Sequence, residues 1–337
     1  MKLDEYNYEL PEKLIAQSPV SPRDSCKLLI LGEDSKNVKD VKSVKHEIFK
    51  NIFNYLRQGD VLVLNDTKVS HSKLVGKKDT GSDAEIVLLK KISEKIYEAK
   101  VKTKNPHIGT KILFKEKNGN EHVTIIRQKN IDTYIVELSN DSILEDAILP
   151  MPPYIKNNLT DKEYQTEYSK KLGSLAAPTA GLHFTKALLK KIEKKGIKIV
   201  YITLHVSYGT FKKIDDINNY IMDPEYYQIS QESADTINSR TDRLIVCGTT
   251  TLKALETASK NGKITSGSAQ SRLFIYPPYR FKSGTNILIT NFHLPKSTLL
   301  LLTCAFGGRK SILDAYKEAV KKRYRFFSLG DAMMIWK

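Results

Sequence analysis

The chain is 337 residues long, 40% apolar and 27% charged, which is ordinary for a soluble globular protein and long enough for two domains with separate cores. No apolar run approaches the roughly 18 residues of a membrane span, so a membrane protein is excluded as an expectation. Lysine and arginine total 54 against 38 acids, a formal charge of +16 with a pI near 9.4; such a surface attracts polyanions, which makes nucleic acid the first candidate partner, a merely lysine-rich surface being the alternative.

In chain order, "MKLDEYNYELPEKL" is acidic and has no apolar h-region, so no signal or transit peptide is expected. Three scattered cysteines, Cys26, Cys247 and Cys304, have no metal-ligand spacing and suit a reducing cytoplasm. "GDVLVLNDTKV" opens with a buried strand at Val61–Leu64 and breaks at Asn65-Asp66. From Gly76 to Leu149 short β-rich runs follow one another, with a hairpin signal at Asn118-Gly119. That texture predicts a small all-β barrel of about five strands, inserted into a discontinuous larger domain. The expected boundaries are 75–150 for the insertion, and 1–74 with 151–337 for the larger domain.

After the stiff connector "LPMPPYI" the pattern becomes α/β. Thr185 predicts an N-cap, with Leu188, Leu189 and Ile192 at helical spacing and Gly196 as the stop. "IKIVYITLHV", "RLIVCGTTT", "RLFIY" and "NILITNF" are predicted strands, the second running straight into a helix; "SQESADTINSR", "LKALETASKNG", "KSTLLLLTCAF" and "SILDAYKEAVKKRY" are predicted helices.

There is no phosphate-binding G-x-x-x-x-G-K-[ST], no G-x-G-x-x-G between strand and helix, and no H-E-x-x-H, which argues against a kinase, a Rossmann dehydrogenase and a zincin. Polar residues gather instead at predicted strand ends, where α/β sheets bind ligands. In "AAPTAGLHFT", Thr179 and Gly181 belong to a small-residue turn that a ligand can approach, and His183 is either an acid/base group or a cap and core filler. "LHVSYGTF" places His205 and Thr210 at a strand end. Thr249, Thr250 and Thr251 open a helix, as an anion site or as plain N-caps. Asn291 and His293 follow a strand in "TNFHLPKST". "RYRFFSLGDAM" offers cations beside aromatics, suited to RNA contact or to docking on the core through Phe326 and Phe327.

These motifs together resemble the S-adenosylmethionine:tRNA ribosyltransferase-isomerase family of queuosine biosynthesis. The matching stretches are "YNYELPEKLIAQSPVSPRDSCKLLIL", "GDVLVLNDTKV", "MPPYI", "YQTEYSKKLGSLAAPTAGLHFT", "LHVSYGTF", "GTTTLKALE", "LFIYPPYRF", "TNFHLPKSTLLLLTCAFGG" and "YRFFSLGDAM", in the family's order. The resemblance implies a larger barrel-like α/β domain interrupted by a small β-barrel. It implies S-adenosylmethionine as ribosyl donor, 7-aminomethyl-7-deazaguanine at the tRNA wobble position as acceptor, and epoxyqueuosine-tRNA, adenine and methionine as products. It also implies a cytoplasmic monomer without a metal or membrane partner. The chain departs from the family pattern at Lys68, at "HSKL" (71–74), at Ser207-Tyr208, at Thr251, at Lys253 and at Pro278. For that reaction His183, His205 and His293 are the expected acid/base and adenine-contacting residues, with Thr179, Gly181, Thr249, Thr250, Thr251 and Asn291 binding S-adenosylmethionine and its carboxylate placed on the threonines. Arg323, Arg325 and basic residues near the insertion are the expected tRNA contacts. A methyltransferase is the rival enzyme, although the glycine-rich loop it needs is missing; a non-catalytic RNA-binding module leaves the strand-end histidines unexplained.

Overall fold

A computed structural model describes residues 2–32, 43–114, 121–157, 159–211, 214 and 216–337, with only the backbone at 210 and 211. The predicted turn at Asn118-Gly119 and the side chain of Thr210 lie outside the described residues. Two compact units emerge, one of Met1–Lys68 with Pro152–Lys337 and one of Val69–Met151.

The larger unit begins with β1 (Lys27–Leu31), β2 (Val44–Ile48), β3 (Val61–Asn65) and β4 (Thr67–Val69, which crosses the unit boundary). The smaller unit holds β5 (Lys73–Lys78), β6 (Asp83–Ser93), β7 (Ile96–Thr103), β8 (Lys111–Leu113), β9 (His122–Gln128) and β10 (Thr133–Leu138). They close into a six-stranded antiparallel barrel, β10-β7-β6-β5-β8-β9. Alternate residues fill it, Ile86, Ala99, Ile112, Val123, Ile125, Tyr134 and Val136 among them, because side chains point to opposite faces at every second position.

The larger unit resumes with α1 (Asp161–Tyr164), β11 (Lys171–Ser174), α2 (Lys186–Lys194), β12 (Lys198–Leu204), β13 (Glu225–Ile229), α3 (Gln231–Asn238), β14 (Leu244–Cys247), α4 (Thr249–Ala258), β15 (Ser259–Lys260), β16 (Lys263–Ile264), β17 (Gly267–Ser271), β18 (Thr285–Asn291), α5 (Thr298–Gly307), α6 (Arg309–Lys321) and β19 (Ala332–Trp336). Nine strands make one mixed sheet in the order β17-β13-β12-β3-β14-β18-β19-β1-β2. The inner strands β12, β3, β14 and β18 are mutually parallel. β3, β14 and β18 are buried on both faces: Val61, Val63, Val246 and Leu288 enter one core layer, while Leu62, Leu64, Ile245, Ile287 and Ile289 enter the other. Helices cover the sheet, as parallel strands require. The fold is thus a larger α/β domain interrupted by a small closed all-β barrel.

Thr185 caps α2 as predicted, its hydroxyl accepting from the Leu188 N–H at 3.2 Å. Three expectations differ from the structure. The strand predicted over "RLIVCGTTT" ends at Cys247, and Thr249–Thr251 open α4 instead. The sheet gains β1 and β2 ahead of the 61–65 strand. "RLFIY" (272–276) is not a strand: the ladder with β13 is made by the preceding "GSAQS". Its apolar side chains satisfy the hydrophobic pattern without pairing, Ile275 being buried and Leu273 and Phe274 packing on the core.

Candidate functional site

The segments that follow β11, β14 and β18 form three walls of a cavity of about 400 Å³. The first wall is the stretch Ala176–Ala180, which leads into a short 3₁₀ turn at Thr179–His183. The second is Gly248, Thr249 and Thr250 at the start of α4. Gly248 has φ +93°, in the region that favours glycine, and its N–H is tied to the Ile289 carbonyl at 2.8 Å. No side chain caps α4, so its first-turn amides keep their donor capacity beside the cavity. The third is the stretch Thr290–Ser297, with Asn291 and His293. Tyr154, Phe327 and Ser328 also line it, with Asn7, Val206, Ile214 and Leu299. The Tyr154 and Phe327 rings stand 4.9 Å apart, and the Tyr154 hydroxyl is 2.6 Å from the Ser328 hydroxyl.

The three histidines have different surroundings. His293 is buried yet lines the cavity, with Nε2 3.3 Å from the Thr290 hydroxyl and Nδ1 3.2 Å from the Thr303 hydroxyl. Burial pushes its pKa down to about 3, so it is a neutral imidazole at physiological pH. His183 does not line the cavity. It lies against the Phe49 ring, Nδ1 3.2 Å from the Cys26 sulfur and Nε2 3.1 Å from Asn291 Oδ1, with a pKa lowered to about 4 by burial. Asn291 Nδ2 faces the carbonyls of Phe327 and Ser328 at 2.8 and 3.2 Å. That orientation makes Oδ1 an acceptor, puts the His183 proton on Nε2 and leaves Nδ1 to accept from Cys26. His183 therefore aims Asn291, which does line the cavity. His205 stands apart, with Nδ1 2.7 Å from the Thr67 hydroxyl and its ring stacked on Tyr226. Burial lowers its pKa and Asp66 opposes the shift.

Of the remaining expected residues, Thr179, Thr249, Thr250 and Asn291 line the cavity. Thr251 turns inward, its hydroxyl donating to the Cys247 carbonyl at 2.5 Å. Gly181 makes room for a neighbour, since a Cβ there would sit 2.0 Å from the Tyr168 hydroxyl. Phe326 is fully buried and Phe327 nearly so, so that segment docks on the core, while the Arg325 guanidinium donates to the Ser18 carbonyl. Sequence reasoning missed Tyr154 and Ser328. The "MPPYI" connector was a signal for the first, as a stiff segment carrying one aromatic. It also passed over a buried ion pair between Lys253 and Glu225. Among the described residues no group of three or more His, Cys, Asp or Glu is arranged to hold a metal, and no helix is long and apolar enough to cross a membrane.

Comparisons with known proteins agree on one kinship. A family model described as "Queuosine biosynthesis protein" matches residues 3–335. The S-adenosylmethionine:tRNA ribosyltransferase-isomerase of Clostridioides difficile (strain 630) is 44% identical over 99% of this chain and 100% of its own length. The protein of that name from Staphylococcus haemolyticus (strain JCSC1435) is 45% identical over the same shares. The crystal structure of S-adenosylmethionine tRNA ribosyltransferase from Thermotoga maritima is similar with a TM-score of 0.56 and 34% identity, covering 98% of this chain and 99% of the other. With matched segments running from one end to the other, the chain belongs to the queuosine biosynthesis protein family.

Proposed function

We propose that the chain is an S-adenosylmethionine:tRNA ribosyltransferase-isomerase. It transfers the ribosyl moiety of S-adenosylmethionine to 7-aminomethyl-7-deazaguanine at the wobble position of tRNA, forming epoxyqueuosine-tRNA and releasing adenine and methionine. The observation that carries this reading is full-length kinship at 44% and 45% identity to two enzymes of that name. The larger domain holds the chemistry and S-adenosylmethionine occupies its cavity as co-substrate. The partner is the anticodon arm of tRNA, drawn by the +16 charge, and the enzyme works as a cytoplasmic monomer.

The reaction needs a base for the ribose C5′ proton, made acidic by the adjacent sulfonium. The resulting ylide forms the C4′–C5′ double bond as C4′–O4′ breaks, the freed pair on O4′ makes the C1′ carbonyl, and adenine departs with a proton. The acceptor amine adds to C4′ and returns the carbanion to C5′, which bonds to C1′ to close the carbocycle, and the C1′ oxyanion displaces methionine from C5′ as the epoxide closes. His293 is the histidine placed to serve as base or as donor to adenine, because its neutral imidazole lines the cavity. Thr249, Thr250 and the bare amides of α4 take the methionine carboxylate. Thr179 and the Ala176–Ala180 backbone lie along the nucleoside, Asn291 supplies a fixed amide beside it, and His183 positions Asn291.

Purified protein with S-adenosylmethionine and tRNA carrying the aminomethyl base is expected to release adenine and methionine in equal amounts. Formation of S-adenosylhomocysteine instead would show a methyltransferase and overturn the proposal.

A further inference from the structure

A second, small pocket of about 20 Å³ adjoins the main cavity through Thr249 and Thr250, which line both. It has room for about one water-sized group. Its other polar walls are Glu225, Lys253 and Thr298. Glu225 is the first residue of β13 and accepts from the Ser207 N–H at 2.9 Å, while its other oxygen pairs with the Lys253 ammonium. Both side chains are almost fully buried. The Thr298 hydroxyl oxygen is also buried, in a residue 5% exposed, and has no hydrogen-bond partner. A buried polar atom left unpaired costs about 1–3 kcal/mol, and it faces the same pocket as the uncapped start of α4.

The site carries both signs of charge within one ion pair. A simple anion drawn to α4 and Lys253 meets Glu225; a simple cation drawn to Glu225 meets Lys253 and the positive end of the helix. A group bearing an ammonium and a carboxylate on one carbon satisfies both at once.

We propose that Glu225, Lys253, the Thr298 hydroxyl and the first turn of α4 bind the α-amino-acid head of the sulfonium substrate, which lies in the main cavity with only its ammonium entering the small pocket on Glu225 and its carboxylate at the shared Thr249–Thr250 wall, on Lys253 and the α4 amides. This rests on the reading of that substrate as S-adenosylmethionine. The Lys253–Glu225 pair is then a selector for the amino-acid end, separate from the residues that face the ribose.

The test is calorimetric binding of three compounds to the full chain: S-adenosylmethionine, its decarboxylated analogue and its deaminated analogue. Wild type is expected to bind S-adenosylmethionine about 10- to 100-fold more tightly than either analogue, the range for a buried charged hydrogen bond. K253M is expected to erase the preference over the decarboxylated compound, and E225Q the preference over the deaminated one. Should either single variant fail to fold because it strands a buried charge, the double variant E225Q/K253M removes both charges and is expected to bind all three compounds within about threefold of one another. Equal affinity of wild type for all three, or folded variants that keep full discrimination, would overturn the proposal. Adenine release by wild type is followed in parallel: its absence alongside intact discrimination counts against the enzyme reading and leaves this site standing.

Discussion

The larger domain buries an ion pair near each end of its parallel strands, and the two are built differently. Asp60 and Arg243 precede β3 and β14. Asp60 accepts from Arg243 Nε at 2.9 Å, from Arg243 Nη2 at 2.6 Å and from the Arg57 N–H at 2.8 Å. Arg243 also reaches the Tyr55 carbonyl at 3.1 Å and stacks on Trp336. That pair has a full shell of partners and stitches the strand starts together. At the opposite end, the Lys253–Glu225 pair lies beside a pocket into which the Thr298 hydroxyl presents an oxygen without a partner. Burial alone does not separate a structural pair from a binding one; a neighbouring pocket with an unpaired polar wall does.

The contrast breaks most visibly at Asp60. Asp60→Ala leaves Arg243 buried and unpaired, and a urea titration is expected to show a stability loss of about 3–5 kcal/mol, with the affinity of the folded protein for S-adenosylmethionine unchanged. Altered affinity would place that pair in the site's machinery after all. Next comes His293→Ala, expected to slow adenine release by about 10²-fold or more, as for loss of an acid/base group. His183→Ala is expected to act through a loosened Asn291, so His183→Gln, which keeps a donor near Asn291 Oδ1, should recover most of the lost rate. Failure of that rescue with a folded protein would mean that the imidazole itself takes part.

Smaller, and shared by both histidines, is a pH effect. Their folded pKa values, about 3 and about 4, lie below the ordinary 6.5. The unfolded chain therefore binds more protons between those values, and stability is fully present above about pH 6.5 and drains away as the pH falls. At pH 5 each histidine has cost about 2 kcal/mol of that stability, since a tenfold difference in proton affinity between the folded and unfolded chain is worth about 1.4 kcal/mol. The urea midpoint should drop between pH 7.5 and pH 5, and His183→Gln should remove about half of the drop that the two histidines cause. A midpoint flat across that range would refute the buried neutral assignment. Least of all, Thr250→Val is expected to weaken S-adenosylmethionine binding by about 3- to 10-fold, the worth of one hydrogen bond; unchanged affinity would move the carboxylate elsewhere.

Much of this was legible from local pattern. The shift from short β runs to strand–helix alternation marks the inserted barrel, and Thr185, Gly196 and the apolar spacing of α2 declare that helix. Strand-end placement picked out Thr249, Thr250, Asn291 and His293, which the structure brings to the lining of one cavity, as the ends of parallel strands favour. Local pattern stops short where direction matters. Nothing in "TAGLHFT" says that the 3₁₀ turn points His183 towards Cys26, 157 positions earlier. The pairing of Glu225 with Lys253 needs β13 and α4 brought together. "RLFIY" has the composition of a strand, yet the ladder beside it was already taken by a polar one.

The alternation of β18 has one further consequence. Ile287 and Ile289 belong to one core layer, and Leu288 and Phe292 to the other. At the strand's end the same parity sends Asn291 towards His183 and sets Thr290 beside His293. Position along this strand thus works as a reading frame. Substitutions within either layer can accumulate independently, whereas a single inserted residue inverts the parity. It would part Asn291 from His183, bring an apolar neighbour to the cavity and dismantle the site without removing any residue from it.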